Sequence, residues 1–307
     1  MNDYMIAVIL GIVEGFTEYL PVSSTGHMIL VGDWLGFDGP RASVFEVFIQ
    51  LGAILSVLII YKEKFIRMLY QYRCWNLFRR ENWFRTDTGL TLAHVAAGIV
   101  PVMGIGYLAH HAIKTYLFSA GTVIIGLIIG GLFMLAAEKA HMKVRCKDVE
   151  KMTIVQAFLV GAFQILALWP GFSRSGSTIA GGLFLGMSRK AAADFSFIIA
   201  VPVMIVACFY DLLKSLSYLS GNDLVMIAIG FVTAFIVAYV SVLWFLKFLN
   251  KSTLASFAYY RFVVALVSFL HFFVIFVFNI NIHYLFSLCC FFFAIFSSYS
   301  SYALTIF

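Results

Sequence analysis

The chain has 307 residues, of which 62% are hydrophobic and only 12% charged, against roughly 25% charged in soluble proteins. With a mean hydropathy of +0.96, this composition excludes an ordinary soluble domain. The net charge of +6 does not indicate nucleic-acid binding, because an excess of Lys and Arg is typical of the cytoplasmic loops of membrane proteins. We therefore predict an all-α, polytopic membrane protein, since helices satisfy their own backbone hydrogen bonds in lipid.

The N-terminal apolar region predicts a helical hairpin. Residues 4–20 have a helical apolar period but are short of the ~20 residues that span a bilayer comfortably. A turn containing Pro, Ser and Gly follows at 21–27, and a second short apolar piece covers 28–35. Non-helical backbone at membrane depth is tolerated where it lines a cavity, so we expect a re-entrant hairpin here.

Later in the chain the same short pattern recurs among six longer apolar stretches. Residues 153–169 are apolar, W-P-G-F-S-R-S-G interrupts them at 169–176, and a Gly-rich piece follows at 177–187. This predicts a second re-entrant hairpin. The six longer stretches predict transmembrane helices at about 43–61, 89–110, 119–138, 192–213, 223–246 and 257–279.

Basic residues concentrate in two loops, 62–87 and 139–152. An even number of predicted spans separates these loops, so both should lie on one side of the membrane. The positive-inside rule makes that side the cytoplasm. Lys247 and Lys251 fall on the same predicted side, which agrees with this topology.

The two hairpins align at a constant offset of 150 residues. The first should enter from outside and the second from inside, which makes them inverted repeats. Sites in such proteins lie near the midplane at the repeat interface, so we expect the turns 21–27 and 170–178 to meet. The aligned pairs include Gly11 with Gly161, Glu14 with Gln164, Ser23 with Ser173 and Gly26 with Gly176.

Residues 1–279 are therefore predicted to form one transmembrane domain, with repeat halves at about 1–138 and 153–279. An apolar tail, 280–307, contains no Lys or Arg. The sequence leaves its structure and topology open.

Two carboxylates lie in the first hairpin. Glu14 and Glu18 are four residues apart, so a helix places both on one face. A charge at the bilayer centre costs about 2.5–3.5 kcal/mol on translocon scales, so such residues usually serve a function. They could bind a divalent cation, act as general acid and base, or pair with Arg174. The residues alone leave these three roles open.

Arg174 opens the last part of the second hairpin, between Ser173 and Ser175. A planar guanidinium beside hydroxyls and the amides of a helix start suits a phosphate group. The alternative is that Arg174 only neutralises a buried glutamate.

The first turn carries three hydroxyl residues, Ser23, Ser24 and Thr25, followed by His27. These hydroxyls could cap the next helix. One of them could instead be a nucleophile if a base such as His27 is within reach.

These motifs resemble those of the undecaprenyl-diphosphate phosphatase family, over approximately residues 1–275. The similar segments are L-G-I-V-E-G-F-T-E-Y-L-P-V-S-S-T-G-H at 10–27, F-E-V-F-I-Q-L-G at 45–52 and L-W-P-G-F-S-R-S-G-S-T at 168–178. They contain the E-x-x-x-E and P-G-x-S-R-S motifs at the expected separation.

The resemblance implies a phosphoric anhydride hydrolase of the bacterial inner membrane that is associated with bacitracin resistance. Its reaction would convert the C55 isoprenyl diphosphate to the monophosphate and so recycle the lipid carrier of peptidoglycan synthesis. The resemblance also implies an active site open to the periplasm and dependence on a divalent cation, Mg²⁺ or Ca²⁺. The expected partners are the polyprenyl diphosphate and membrane lipid, and a homodimer is compatible with it.

By position, the resemblance assigns Glu14 and Glu18 to metal binding and catalysis, and makes Ser24 or His27 the candidate nucleophile. Direct attack by water stays open. Arg174 is implied in catalysis and in substrate binding. The other implied substrate-binding residues are Ser23, Thr25, Ser173, Ser175 and Thr178.

Two rival classes remain. A transporter or lipid flippase would also use inverted repeats with charges near the midplane. A lipid phosphatase of the acid-phosphatase-like class has a P-S-G-H element that Ser23–His27 faintly resembles. The missing Lys-x6-Arg-Pro element and the glutamate pair argue against that class.

Overall fold

A computed structural model of the chain describes residues 2–37, 39–70, 84–86, 89–117, 119–215 and 223–278. Across these ranges the backbone is helical and forms no β-strand. The predicted tail, 280–307, and most of the predicted basic loop 62–87 lie outside the described residues.

The helices follow the apolar stretches of the sequence. Six of those described are long and apolar enough to cross a membrane, as predicted. In chain order the helices are α1 (Asp3–Thr17), α2 (Ser24–Leu35), α3 (Gly39–Ile60), α4 (Lys62–Tyr70), α5 (Leu92–Tyr116), α6 (Ala120–Lys139), α7 (Ile154–Gln164), α8 (Arg174–Phe184), α9 (Arg189–Ser215), α10 (Asp223–Phe248) and α11 (Ala255–Phe278). The six candidate membrane spans are α3, α5, α6, α9, α10 and α11.

Each predicted hairpin is a pair of short helices joined by a break. α1 and α2 pack against each other, and so do α7 and α8. A 3₁₀ turn, Ile165–Leu168, extends α7 before the second break. It stays a prediction that each pair enters and leaves the membrane on the same side.

The predicted boundaries of the breaks were wrong at their C-terminal ends. Ser24 to His27 form the first turn of α2, although we expected a turn over 21–27. Likewise α8 starts at Arg174, although its predicted start was residue 177. The reason is that short hydroxyl residues favour helix N-termini, so the helix starts as soon as the chain has reversed.

The first helix of each pair packs against a long helix of the other predicted half. α1 packs mainly on α10, and α7 mainly on α5. Glycines in matching positions make both contacts. A Cβ at Gly11 would lie 2.8 Å from the Gly230 carbonyl oxygen, and a Cβ at Gly161 would collide with the Gly98 carbonyl oxygen. This reciprocal packing is what two inverted repeats would produce, although the division into halves stays a prediction.

Residues from the two predicted basic loops lie at the same end of the bundle, as expected. Lys64 Nζ lies 2.8 Å from Glu150 Oε1, and Arg67 pairs with the same carboxylate. The Leu90 backbone N–H donates to Glu150 Oε2 over 3.0 Å. Burial opposes ionisation of this carboxyl, but the bonds from Leu90 and Lys64 outweigh it and hold the Glu150 pKa below its ordinary value.

A second ion-pair cluster lies at the opposite end. Arg41 Nη2 lies 2.8 Å from Asp3 Oδ2 and 2.7 Å from Asp223 Oδ1. The cluster joins the N-terminal ends of α1, α3 and α10. The bundle therefore has an ion-pair cluster at each end.

Candidate active site

The two breaks meet, as predicted. The Ser175 hydroxyl donates to the Leu20 carbonyl oxygen over 2.9 Å. Arg174 Nη2 donates to Glu18 Oε1 over 3.2 Å. Both bonds join residues about 155 positions apart in sequence, so the site exists only when the two pairs pack together.

Both breaks use the same unusual backbone conformation. Ser23 has φ 71° and Ser173 has φ 76°, and a helix starts at the next residue in each case. Positive φ at a residue other than glycine costs on the order of 1–3 kcal/mol and persists where the surroundings enforce it. At Ser173 the side chain helps, because its Oγ accepts the Gly176 backbone N–H over 3.1 Å.

Glu18 is at the centre of the site. Its Oε2 accepts a hydrogen bond from Ser24 Oγ at 2.5 Å, and its Oε1 accepts the bond from Arg174. This serine, carboxylate and arginine come from three different helices or their connecting breaks.

Arg174 is held in place on several sides. Its Nη1 donates to the Ser196 carbonyl oxygen over 3.1 Å, and its Cζ lies 5.4 Å from the centroid of the Tyr19 ring. Its side chain is 13% exposed. The guanidinium is therefore oriented by the protein but still faces a cavity.

That cavity has a volume of about 200 Å³. It is smaller than the roughly 300–1,000 Å³ of pockets that enclose a whole drug-sized ligand. A compact polar group therefore suits it better than a long chain. Its polar lining includes Glu18, Ser23, Ser24, Thr25, Gln50, Gln164, Ser173 and Arg174. Its apolar lining includes Val102, Leu168, Val203 and Met204.

Some residues assigned by sequence lie beside the cavity without lining it. Glu14 is buried on α1, one helical turn before Glu18. The Ser175 hydroxyl is used in the bond between the two breaks. Thr178 Oγ1 bonds the Arg174 carbonyl oxygen at 2.8 Å and Ser196 Oγ at 2.7 Å. Direct contact of Ser175 and Thr178 with a substrate is therefore not what this geometry favours.

His27 bonds groups other than the Ser24 hydroxyl. Its Nδ1 lies 2.8 Å from the Ser23 carbonyl oxygen, so Nδ1 carries the proton and donates. Its Nε2 then accepts from the Tyr260 hydroxyl, also at 2.8 Å. Among the hydrogen bonds of the described residues, none joins His27 to Ser24. The base within reach of that serine is Glu18, and a catalytic role for His27 stays a prediction.

Unpartnered polar atoms concentrate around this site. Over 90% of buried polar groups in proteins have a hydrogen-bond partner. Within the described ranges, the buried side-chain atoms that have none belong to four residues near the two breaks. They are Glu14 Oε1, Tyr19 OH, Gln164 Oε1 and Nε2, and Arg174 Nε.

A divalent cation at this site would draw on the carboxylates of Glu14 and Glu18. No group of three or more metal-ligating side chains occurs in the part of the chain that the structure describes. Glu14 Oε1 is unpartnered, whereas both Glu18 oxygens already accept hydrogen bonds. The residues fit a cation held by one or two carboxylates with phosphate oxygens and water as further ligands, which is typical of Mg²⁺.

Two residues of the site were missed by the sequence analysis. Arg261 is fully buried and donates to the carbonyl oxygens of Gly171 at 2.8 Å and Gly126 at 3.1 Å. It thereby holds the second break from behind. An arginine within an apolar span was a readable signal, because such charges are rarely without a role. For Gln164 the signal in the sequence was weaker: it aligns with Glu14 of the first hairpin.

The fold and site define a polytopic helical membrane protein with a serine, carboxylate and arginine cavity formed by two helix–break–helix pairs. Residues 7–267 match the family described as bacitracin resistance protein BacA, and the chain belongs to this family. It is 48% identical to undecaprenyl-diphosphatase 1 of Bacillus thuringiensis (strain Al Hakam) over 267 residues, 87% of this chain and 97% of the relative. Undecaprenyl-diphosphatase 1 of Bacillus anthracis has the same identity and coverage.

Proposed function

We propose that the protein hydrolyses undecaprenyl diphosphate to undecaprenyl phosphate and inorganic phosphate. Family membership and the names of the relatives support this activity. The observation that carries it is the hydrogen bond from Ser24 Oγ to Glu18, beside Arg174, at a cavity of headgroup size. In its biological setting this reaction recycles a lipid carrier of cell-wall synthesis and gives resistance to bacitracin.

In the first step, Ser24 Oγ attacks the terminal phosphorus. Glu18 takes the hydroxyl proton over the 2.5 Å bond that already joins the two groups. The bond between that phosphorus and the bridging oxygen breaks, and the prenyl monophosphate leaves with the electron pair. Ser24 then carries the phosphoryl group.

In the second step, a water molecule attacks the phosphoserine. By then Glu18 has passed its first proton to the departing prenyl monophosphate, so it can accept a proton from this water. The bond from phosphorus to Ser24 Oγ breaks, and inorganic phosphate is released. Glu18 gives its proton to the serine oxygen, so the site returns to its starting state. A carboxylate serves both steps because it is held beside Ser24 and Arg174 throughout.

Arg174 stabilises the charge of the transferred phosphoryl group. A guanidinium can donate two parallel bonds to phosphate oxygens, which a point charge cannot. The N-termini of α2 and α8 begin at Ser24 and Arg174, so their backbone amides also favour an anion here. Together these groups oppose the negative charge that spreads over the equatorial oxygens during transfer.

Glu14 and Glu18 are the residues that would hold a divalent cation. A bound cation would supply positive charge against the diphosphate oxygens. Glu14 has an unpartnered oxygen for this purpose, whereas Glu18 would exchange one of its present hydrogen bonds.

The cavity's apolar lining supports a site in which the prenyl chain stays in lipid or in a lateral groove. We place the protein in the bacterial inner membrane, with the loop 139–152 in the cytoplasm and the reacting end accessible from the periplasm. Positive charge on that loop supports this orientation. A homodimer stays a prediction.

Phosphate release from a prenyl diphosphate by the purified, lipid-reconstituted protein tests the activity. We expect release by the wild type, and none above a heat-denatured sample for Ser24→Ala assayed with Mg²⁺ or Ca²⁺. Ser43→Ala is the matched control, because Ser43 is exposed and bonds only its own helix. A wild type without release would favour the transporter alternative.

Orientation is tested with cysteines introduced at exposed positions in a background lacking the native ones. Tyr116 and Lys147 are exposed at opposite ends of the bundle. A membrane-impermeant maleimide should label Tyr116→Cys in cells with a permeable outer membrane, and Lys147→Cys only after lysis. The reverse pattern would overturn the orientation.

A further inference from the structure

Gln164 is a buried amide with no hydrogen-bond partner on either polar atom. Its side chain is 1% exposed, and it lines the cavity beside Arg174. No other residue in the described ranges is buried with both polar atoms of a side chain unpartnered. Because an unpartnered buried amide is costly, its persistence in a cavity wall points to a ligand.

Helix packing locates Gln164 along the cavity. Gly161 packs directly on Gly98, and the Leu168 side chain would lie 3.4 Å from a Cβ at Gly106. α5 and α7 therefore run parallel along this contact, and Gln164 lies between its two ends. Gln164 is thus on the wall where α7 meets α5.

The cavity lining contains both polar and apolar residues. Ser24 and Arg174 belong to the reacting end, whereas Val102 on α5 and Leu168 after α7 are apolar. A lipid diphosphate presents three parts in a fixed order, which are the terminal phosphate, the lipid-linked phosphate and the chain. Gln164 is a polar lining residue outside the Ser24, Glu18 and Arg174 group, so it suits the lipid-linked phosphate, which does not react.

We infer that Gln164 binds the lipid-linked phosphate, the one that is not transferred, through its amide NH₂ group. This inference rests on the proposed function. An amide NH₂ offers two donors and no charge, so it can hold a phosphate without a second buried cation. Gln164 is thereby a substrate-binding residue for the phosphate that stays on the lipid.

The test begins with Gln164→Leu, which keeps the approximate volume and removes both polar atoms. A contact to a group that does not react is equal in the ground and transition states, so KM changes and kcat does not. We expect KM for a prenyl diphosphate to rise about 10- to 100-fold and kcat to stay within about threefold. Thermal stability should be unchanged or higher, because an unsatisfied amide is removed.

Gln156→Leu on the same helix is the matched control. Gln156 Oε1 accepts the Thr153 backbone N–H over 3.1 Å in the N-terminal cap of α7. This variant should melt at a lower temperature and keep its KM, the opposite of Gln164→Leu. Gln164→Glu provides a second variant of nearly identical shape. It places a carboxylate against the phosphate and should raise KM at least as much.

Product inhibition identifies which phosphate is bound. The prenyl monophosphate keeps the lipid-linked phosphate, whereas inorganic phosphate is the transferred group. In Gln164→Leu, the inhibition constant of a prenyl monophosphate should rise by about the same factor as KM, and that of inorganic phosphate should not change.

The outcomes separate this inference from the proposed function. A wild type that releases no phosphate defeats the proposed function. An active wild type with an unchanged KM in both Gln164 variants shows that the amide is only structural and overturns the inference. A fall in kcat without a change in KM, or weaker inhibition by inorganic phosphate alone, assigns Gln164 to the transferred group and also overturns it.

Discussion

The two breaks have nearly the same backbone and opposite chemistry. Ser23 and Ser173 adopt similar positive-φ conformations, and a helix begins immediately after each. The helix after the first break starts with Ser24, whereas the helix after the second starts with Arg174. Two breaks of similar backbone thus present a hydroxyl on one side and a cation on the other.

The residues before the breaks differ in the same sense. Glu14 of the first pair corresponds to Gln164 of the second, and Glu18 corresponds to Leu168. The first pair carries the acidic groups, and the second carries neutral or basic ones. Phosphoryl transfer requires an attacking group and a stabilising cation on different sides of one phosphorus, which two facing, diverged breaks can provide. The comparison indicates that the similar backbones position the two groups, whereas their different side chains determine the chemistry.

Removing the nucleophile from the first break should have the largest effect. We expect Ser24→Ala to lower kcat by at least about 10³-fold, since the covalent route is lost. A phosphate-release assay measures this, and the phosphoserine should be trapped by acid quench in the wild type only. Near-normal turnover in Ser24→Ala would mean that water attacks directly.

Weakening the cation of the second break should have the next largest effect. Arg174→Lys keeps the charge but cannot hold Glu18, the Ser196 carbonyl and a phosphate together. We expect kcat/KM to fall about 10²-fold, in the range found for loss of one stabilising donor. Arg145→Lys, at an exposed position, is the control and should match the wild type. Turnover close to normal in Arg174→Lys would refute the bidentate role.

The packing of the two pairs can be compared through their matching glycines. Gly161→Ala forces a methyl group against the Gly98 backbone and should destabilise the protein by about 1–3 kcal/mol. Gly11→Ala meets Gly230 less closely and should cost less. Thermal unfolding in detergent measures both. Gly104→Ala is the control, because no atom lies within 4 Å of the added methyl group. Equal melting temperatures for all three variants would contradict close packing at Gly161.

His27 should show the smallest effect, although it follows the first break. Both ring nitrogens bond groups other than the Ser24 hydroxyl, namely the Ser23 carbonyl and the Tyr260 hydroxyl. We expect His27→Gln to reduce kcat less than about tenfold, as for loss of a supporting hydrogen bond. Tyr260→Phe should behave similarly. A loss comparable to that of Ser24→Ala would restore His27 as a catalytic residue.

The sequence predicted the helical architecture and much of the site. Six spans and two interrupted pairs were predicted from apolar length, and the meeting of the pairs from the repeat and the charged loops. The pairing of Glu18 with Arg174 was one of the options left open. The helix starts at Ser24 and Arg174 were missed, because hydroxyl residues serve equally well in turns and at helix N-termini.

Hydropathy, charge and repetition are properties read along the chain, so the sequence by itself determined the membrane fold and the two places where its helices break. Hydrogen-bond partners depend on which helices pack together. Only the tertiary structure decided that Ser24 bonds Glu18 and not His27. The same holds for the Ser175 bond to Leu20 and for the unpartnered amide of Gln164. Partners about 155 residues apart leave no local pattern, because packing alone brings them within reach.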